Sequence, residues 1–227
     1  MDFTNKNLAV LFQIGDETVY LTETIVSTWV VMGILVSIAA AVRVALPRFR
    51  HMPGRLQNAV EASVEILSDF IKSNMGGLHT KFGGVYFSVF LFILFSNLSG
   101  LFGLRPPTAD LATTAALALV TFALIQIGGI LSLKLGYLKS FVKPYPVFLP
   151  INLIGEVSKP LSLAFRLFGN MLGGLIIIGL VYNMLPPLLR FLFPDVLHAY
   201  FDVFAGSLQA FIFTMLSMIF IQQKAAA

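Results

Sequence analysis

Five stretches of this chain contain no charged residue: 24–42, 82–104, 111–133, 167–189 and 203–223, with 19, 23, 23, 23 and 21 residues respectively. Each is close to or above the ~20 residues that an α-helix needs to cross ~30 Å of hydrocarbon. In lipid the backbone must satisfy its own N–H and C=O groups, and continuous apolar runs suit helices rather than alternating barrel strands. Composition leaves these runs no other home. Apolar residues make up 57% of the 227 positions and charged residues only 11%, where about a quarter is usual for a soluble domain. Together with 22 phenylalanines, that is more apolar side chain than a globule of this size can bury. The surplus faces lipid. The reading is an all-α integral membrane protein, which excludes a soluble enzyme, an extended nucleic-acid binder and a disordered tail.

The expected membrane helices run approximately over 21–46, 82–104, 110–134, 152–186 and 195–223, within a single membrane domain covering 1–227. Pro106-Pro107 separates the second from the third, with Thr108 or Asp110 as the cap of the third. Pro186-Pro187 and Pro194-Asp195 bracket the last turn, and 134–152 is a proline-broken connection. Residues 55–75 differ from the crossings. Leu56, Val60, Val64, Leu67 and Ile71 fall at helical spacing, while Glu61, Glu65, Asp69 and Lys72 share another face. That pattern predicts an amphipathic helix lying at the inner membrane surface, or docked on a partner protein, and too charged to span.

Basic residues set the orientation. Arg43, Arg48, Arg50, Arg55, Lys72, Lys81, Lys134, Lys139, Lys143 and Lys224 fall on one side of the predicted topology, against Lys6, Arg105 and Arg190 on the other. Ten against three puts the N-terminus outside and the C-terminus in the cytoplasm. The start of the chain, MDFTNKNLAV, lacks the basic-then-apolar plan of a signal peptide.

Polar residues inside the apolar runs carry the functional signal. Arg166 falls close to mid-membrane if its helix starts near Val157. A central arginine costs at least ~2.5–3.5 kcal/mol and cannot shed its proton. Lys159, at the inner end of the same helix, is better placed to reach the headgroups. Ser162, Arg166 and Asn170 recur every four residues as one polar stripe. Gly169, Gly173 and Gly174 leave bare backbone beside it, suited either to close helix packing or to the passage of a large partner. On the last helix, His198, Asp202, Gly206 and Gln209 recur at intervals of four, four and three. An intramembrane carboxylate such as Asp202 marks an ion or proton path, unless it lies at the outer headgroups. His198 by itself reads as an interfacial residue.

Conventional catalytic and cofactor motifs are missing. With no cysteine there is no disulfide or thiolate site, and His51, His79 and His198 form no HExxH. No cluster has metal-ligand spacing, so neither metal nor cofactor is expected. The fixed charge and polar stripes point to moving a charge through the membrane rather than breaking a bond.

The stretch Ser158–Gly174, SKPLSLAFRLFGNMLGG, closely resembles the signature of subunit a of F-type ATP synthases. So do PPTADL at 106–111, LQAFIF at 208–213 and PGRLQNAVEASVE at 53–65. The resemblance runs from about Leu21 to Gln222 in the same order. It implies a stator subunit that holds two offset half-channels against a ring of c subunits, with no catalytic site of its own. Arg166 matches the essential arginine that faces the ring's ion-carrying carboxylate, and Asn170 and Gln209 match polar residues beside it. The two helices bearing them are expected to be long and tilted around the ring. The candidate ion-translocation residues are therefore Arg166, Asn170, Gln209, Asp202, Ser162, His198, Glu156 and Lys159. The implied partners are the c-ring, peripheral-stalk b subunits, membrane lipid and the translocated ion, most simply a proton, in a bacterial inner membrane. Two positions depart from the pattern. Leu175 stands where some members have a glutamate, and Asp202 stands where those members have a histidine or glutamate. A self-contained channel or secondary transporter is the alternative, but it needs a complete pathway and usually inverted repeats, which this chain lacks.

Overall fold

The computed structural model describes residues 7–14, 17–49, 54–134, 136–137, 145–186 and 193–226. Lys6, Arg50, His51, Lys139, Lys143, Arg190, most of the proline-broken connection and the turn after Pro186 lie outside the described residues. Helices dominate. They are α1 (Glu23–Ala45), α2 (Arg55–Met75), α3 (His79–Leu98), α4 (Leu111–Leu133), α5 (Leu149–Met184), α6 (Phe193–His198) and α7 (Gly206–Ala226). A π-helical turn, Ala199–Ala205, joins α6 to α7. Among the described residues five helical stretches are long and apolar enough to cross a membrane, so the all-α membrane reading holds. One feature escaped the sequence. Before α1 the chain forms an antiparallel hairpin of β1 (Asn7–Ile14) and β2 (Glu17–Thr22), with Asn7 opposite Thr22 and Ile14 opposite Glu17. Its strands are short and only partly alternating, so an apolar-run count passes over them.

Local chemistry explains the breaks. Gly76 ends α2 at φ +52°, a conformation that favours glycine, and a single 3-10 turn leads into α3. At the start of α4, the Asp110 carboxylate accepts a hydrogen bond from the Ala112 N–H at 3.0 Å. Asp110 is therefore the cap, and Thr108 is committed elsewhere. α5 has 36 residues with Pro160 inside it. At 1.5 Å per residue that is about 54 Å, far longer than ~30 Å of hydrocarbon, so it must tilt steeply or run beyond the apolar layer. Because α5 begins at Leu149 rather than near Val157, Arg166 stands near its middle.

The chain forms two compact units. One contains Met1–Ser37, Leu91–Thr114 and Phe165–Ala210; the other contains Ile38–Phe90, Ala115–Ala164 and Phe211–Ala227. In the second, Met75, Phe82, Tyr86, Leu163, Phe213, Met218 and Ile221 are buried. The buried Tyr86 hydroxyl shares a 2.7 Å hydrogen bond with Ser217, tying α3 to α7. On α2 Leu67 and Ile71 of the apolar stripe are buried, as is Met75 beyond it, whereas Leu56 and Val64 face outward. α4 meets α7 through glycine: a Cβ at Gly128 would lie 2.9 Å from the Cγ2 of Ile221. Gly128→Ala is therefore expected to destabilise the protein by about 1–3 kcal/mol through overpacking. Thermal unfolding in detergent checks this, and Gly33→Ala, with nothing within 4 Å of its Cβ position, is the control.

Candidate functional site

Ser162, Arg166, Gly169 and Asn170 are exposed on α5, while Leu163 and Leu167 pack inward on its opposite side. Among the described residues the Arg166 side chain makes no hydrogen bond or ion pair. The glycines beside it divide the two uses that sequence left open. Gly174 is a packing glycine, since a Cβ there would lie 3.0 Å from Phe201. Gly169 and Gly173 have nothing within 4 Å of a Cβ, so backbone near Arg166 lies bare.

Asn170 joins α5 to α7. Its amide donates to the Gln209 Oε1 at 2.9 Å. Gln209 is buried, and its own Nε2 has no hydrogen-bond partner among the described residues. A buried amide donor without an acceptor is costly, by about 1–3 kcal/mol, and such exceptions cluster where a ligand group arrives.

Asp202 sits inside the π turn, 7% exposed, with its Oδ2 2.6 Å from the His198 Nδ1. It packs against the short 3-10 turn after α3: a Cβ at Gly100 would fall 2.7 Å from the Asp202 Oδ2. Both Asp202 and His198 line a cavity of about 450 Å³ that Glu23, Arg105, Leu175 and Tyr182 also border. Leu175 and Asp202 thus share one cavity wall. His198 is paired rather than merely interfacial. The interval pattern on the last helix splits in space: His198 and Asp202 face the cavity, whereas Gln209 reaches Asn170.

A second polar cluster surrounds Glu156. Its carboxylate lies 3.0 Å from the Lys159 Nζ and 3.3 Å from the Lys224 Nζ, and the Gln126 amide approaches it at 3.5 Å. Lys224 is buried and its ammonium lies 5.2 Å from the Tyr137 ring centre, a cation–π contact. Burial, reinforced by the negative Glu156 carboxylate, raises the Tyr137 phenol above its ordinary range. A buried carboxylate with two ammonium partners is compensated, so this cluster is well satisfied.

Sequence reasoning missed Lys224, Gln126 and Glu23 as site neighbours, and the seat that Gly100 gives Asp202 in the turn after α3. Lys224 was visible not as a partner of Glu156 but as one of the basic residues that set the orientation and as the charge that ends the fifth apolar run. Glu23 was visible only as the charge before the first.

A multi-pass helical protein with charges inside its spans, one of them unpaired on an exposed helix face, belongs to the class that handles ions within the membrane. The family described as ATP synthase A chain matches residues 25–222. ATP synthase subunit a of Moorella thermoacetica is 35% identical over 213 residues, covering 93% of each chain. The sodium-ion-specific ATP synthase subunit a of Propionigenium modestum is 37% identical over 218 residues, covering 88% of this chain and 73% of that one. Nitratidesulfovibrio vulgaris subunit a is 39% identical over 201 residues, covering 86% and 82%. The chain belongs to the family of ATP synthase a subunits. It is a multi-pass membrane subunit that works with the c-ring in ion translocation, and the catalytic chemistry of the complex lies in other subunits.

Proposed function

We propose that this chain conducts protons through two offset half-channels at the c-ring, with Arg166 standing between them. The single observation that carries this reading is the exposed, unpaired guanidinium of Arg166 midway along α5, beside bare glycine backbone. A passing ring carboxylate would be held ionised by that charge, and its direct transfer from one half-channel to the other is thereby blocked. The orphan Gln209 donor is positioned on the same pair of helices through Asn170.

On the outer side, protons reach the ring by way of the cavity and the His198–Asp202 pair. A histidine bonded to a carboxylate takes and gives protons without major rearrangement, which favours protons over sodium. On the inner side, Ser162 and the Glu156–Lys159 cluster border the exit. Each charge crossing 100 mV contributes ~2.3 kcal/mol to rotation. In this reading the membrane is a bacterial inner membrane with the C-terminus in the cytoplasm, an orientation that the excess of positive charge supports; α5 and α7 tilt around the ring, and the outward Leu56 and Val64 of α2 meet the inner lipid surface. Within this single membrane domain the remaining surface meets the peripheral-stalk b subunits. The resemblance to the Propionigenium modestum protein favours sodium as a second reading.

ATP-driven pumping by the whole enzyme in proteoliposomes separates the two ions. Acidification of the lumen in sodium-free buffer, collapsed by a protonophore, is the expected result. Pumping that requires sodium and survives the protonophore overturns the proton reading. Purification without an associated c-ring would overturn the stator reading altogether.

A further inference from the structure

Two side chains that the mechanism above does not use converge on the turn that carries Asp202. Asn97, near the C-terminal end of α3, is fully buried. Its Nδ2 donates to the Gly206 carbonyl at 2.8 Å. Its Oδ1 accepts a hydrogen bond from the Thr108 hydroxyl at 2.6 Å, and Thr108 is fully buried too. The orientation of the amide is dictated by chemistry, because the carbonyl can only accept and must face the NH₂ group. Thr108 then holds the amide in that orientation.

Gly206 is the residue at which the π turn gives way to α7. A π turn is rare, and its wider winding rotates the side chains before it relative to those after it. The aim of Asp202 therefore depends on that turn being kept. The fit is close on both ends of the contact: a Cβ at Gly206 would lie 2.9 Å from the Asn97 Cβ. Three residues beyond Asn97, Gly100 leaves the space in which the Asp202 carboxylate sits. The end of α3 thus pins the π turn, and the 3-10 turn that follows α3 makes room for the carboxylate.

The geometry points to Asn97 as a positioning residue for ion conduction: oriented by Thr108, it anchors the π turn through the Gly206 carbonyl and so keeps Asp202 aimed into the cavity. This inference rests on the reading of Asp202 as an outer half-channel group. Asn97 acts through Asp202 and has no contact with the ion.

The test uses the complete enzyme in proteoliposomes and measures synthesis driven by an imposed gradient across a range of outer pH. The titratable and charged groups facing Asp202 are His198 on its own segment, Glu23, Arg105 and Tyr182, and all stay unchanged. Asn97→Leu removes the donor, and Thr108→Val replaces a hydroxyl with a methyl group of the same shape. Both are expected to displace the pH profile of synthesis by about half a unit or more, with Thr108→Ser restoring it. In an Asp202→Leu background neither should displace the profile further, because a residue acting only through Asp202 has nothing left to position. Should Asn97→Leu fail to assemble, Thr108→Val carries the test. A wild-type profile in the assembled variants overturns the inference, as does a further shift in the Asp202→Leu background. A wild-type profile in Asp202→Leu alone overturns instead the outer half-channel reading on which it rests.

Discussion

Arg166→Ala is expected to abolish gradient-driven ATP synthesis, by about 100-fold or more, while the subunit still inserts and assembles with the ring. The magnitude follows from losing one fixed charge that acts in a water-poor site. Assembly survives because the side chain is exposed and makes no contact that the fold needs. The same variant should leak: with no charge separating the half-channels, ions pass without turning the ring. Arg166→Lys should recover little. Lysine lacks the planar five-donor guanidinium and loses its proton more readily when desolvated. ATP-driven pumping and passive leak, measured in the same vesicles, check both expectations. Near-normal pumping by Arg166→Ala would remove the basis of the proposed mechanism.

Asp202→Leu should slow transport by about tenfold or more while leaving the membrane tight, since proton-transfer groups contribute on that scale and Arg166 is untouched. Three observations meet here. The carboxylate is bonded to His198 at 2.6 Å. It lines the cavity that Leu175 also lines. Gly100 leaves just the volume it occupies. Asp202→Glu keeps the charge and should retain more activity than leucine, although the extra methylene strains the seat against Gly100. Because the chain has no cysteine, Asp202→Cys can be probed with membrane-impermeant thiol reagents from each side. Reaction from the outside is expected. If the thiol reacts only from the inside, or fails to react while cysteines at 198 and 209 do, Asp202 is a structural residue.

Much of the architecture follows from charge spacing. The five uncharged runs reach membrane length by themselves, and Arg166, Asn170 and Asp202 stand out because polar atoms in lipid are costly wherever the chain places them. That cost depends on residue type and position along the chain, so it is legible in one dimension. The division of the glycines is different. Gly169, Gly173 and Gly174 are identical in sequence terms, and only the approach of Phe201 to Gly174 separates packing from open backbone.

What sequence alone determined was membership of the membrane class, the number of runs long and apolar enough to cross, the family resemblance and the identity of the charges set within or beside those runs. Tertiary structure decided their partners. Glu156 meets Lys224, 68 positions further on, because α5 and α7 run side by side there. Asn97 meets Gly206 only because α7 begins after a π turn, and a helix with regular α spacing would have grouped Asp202 with Gln209. Hydropathy is a property summed along the chain, whereas a hydrogen bond depends on separations of a few tenths of an ångström. Those separations exist only once the helices have packed.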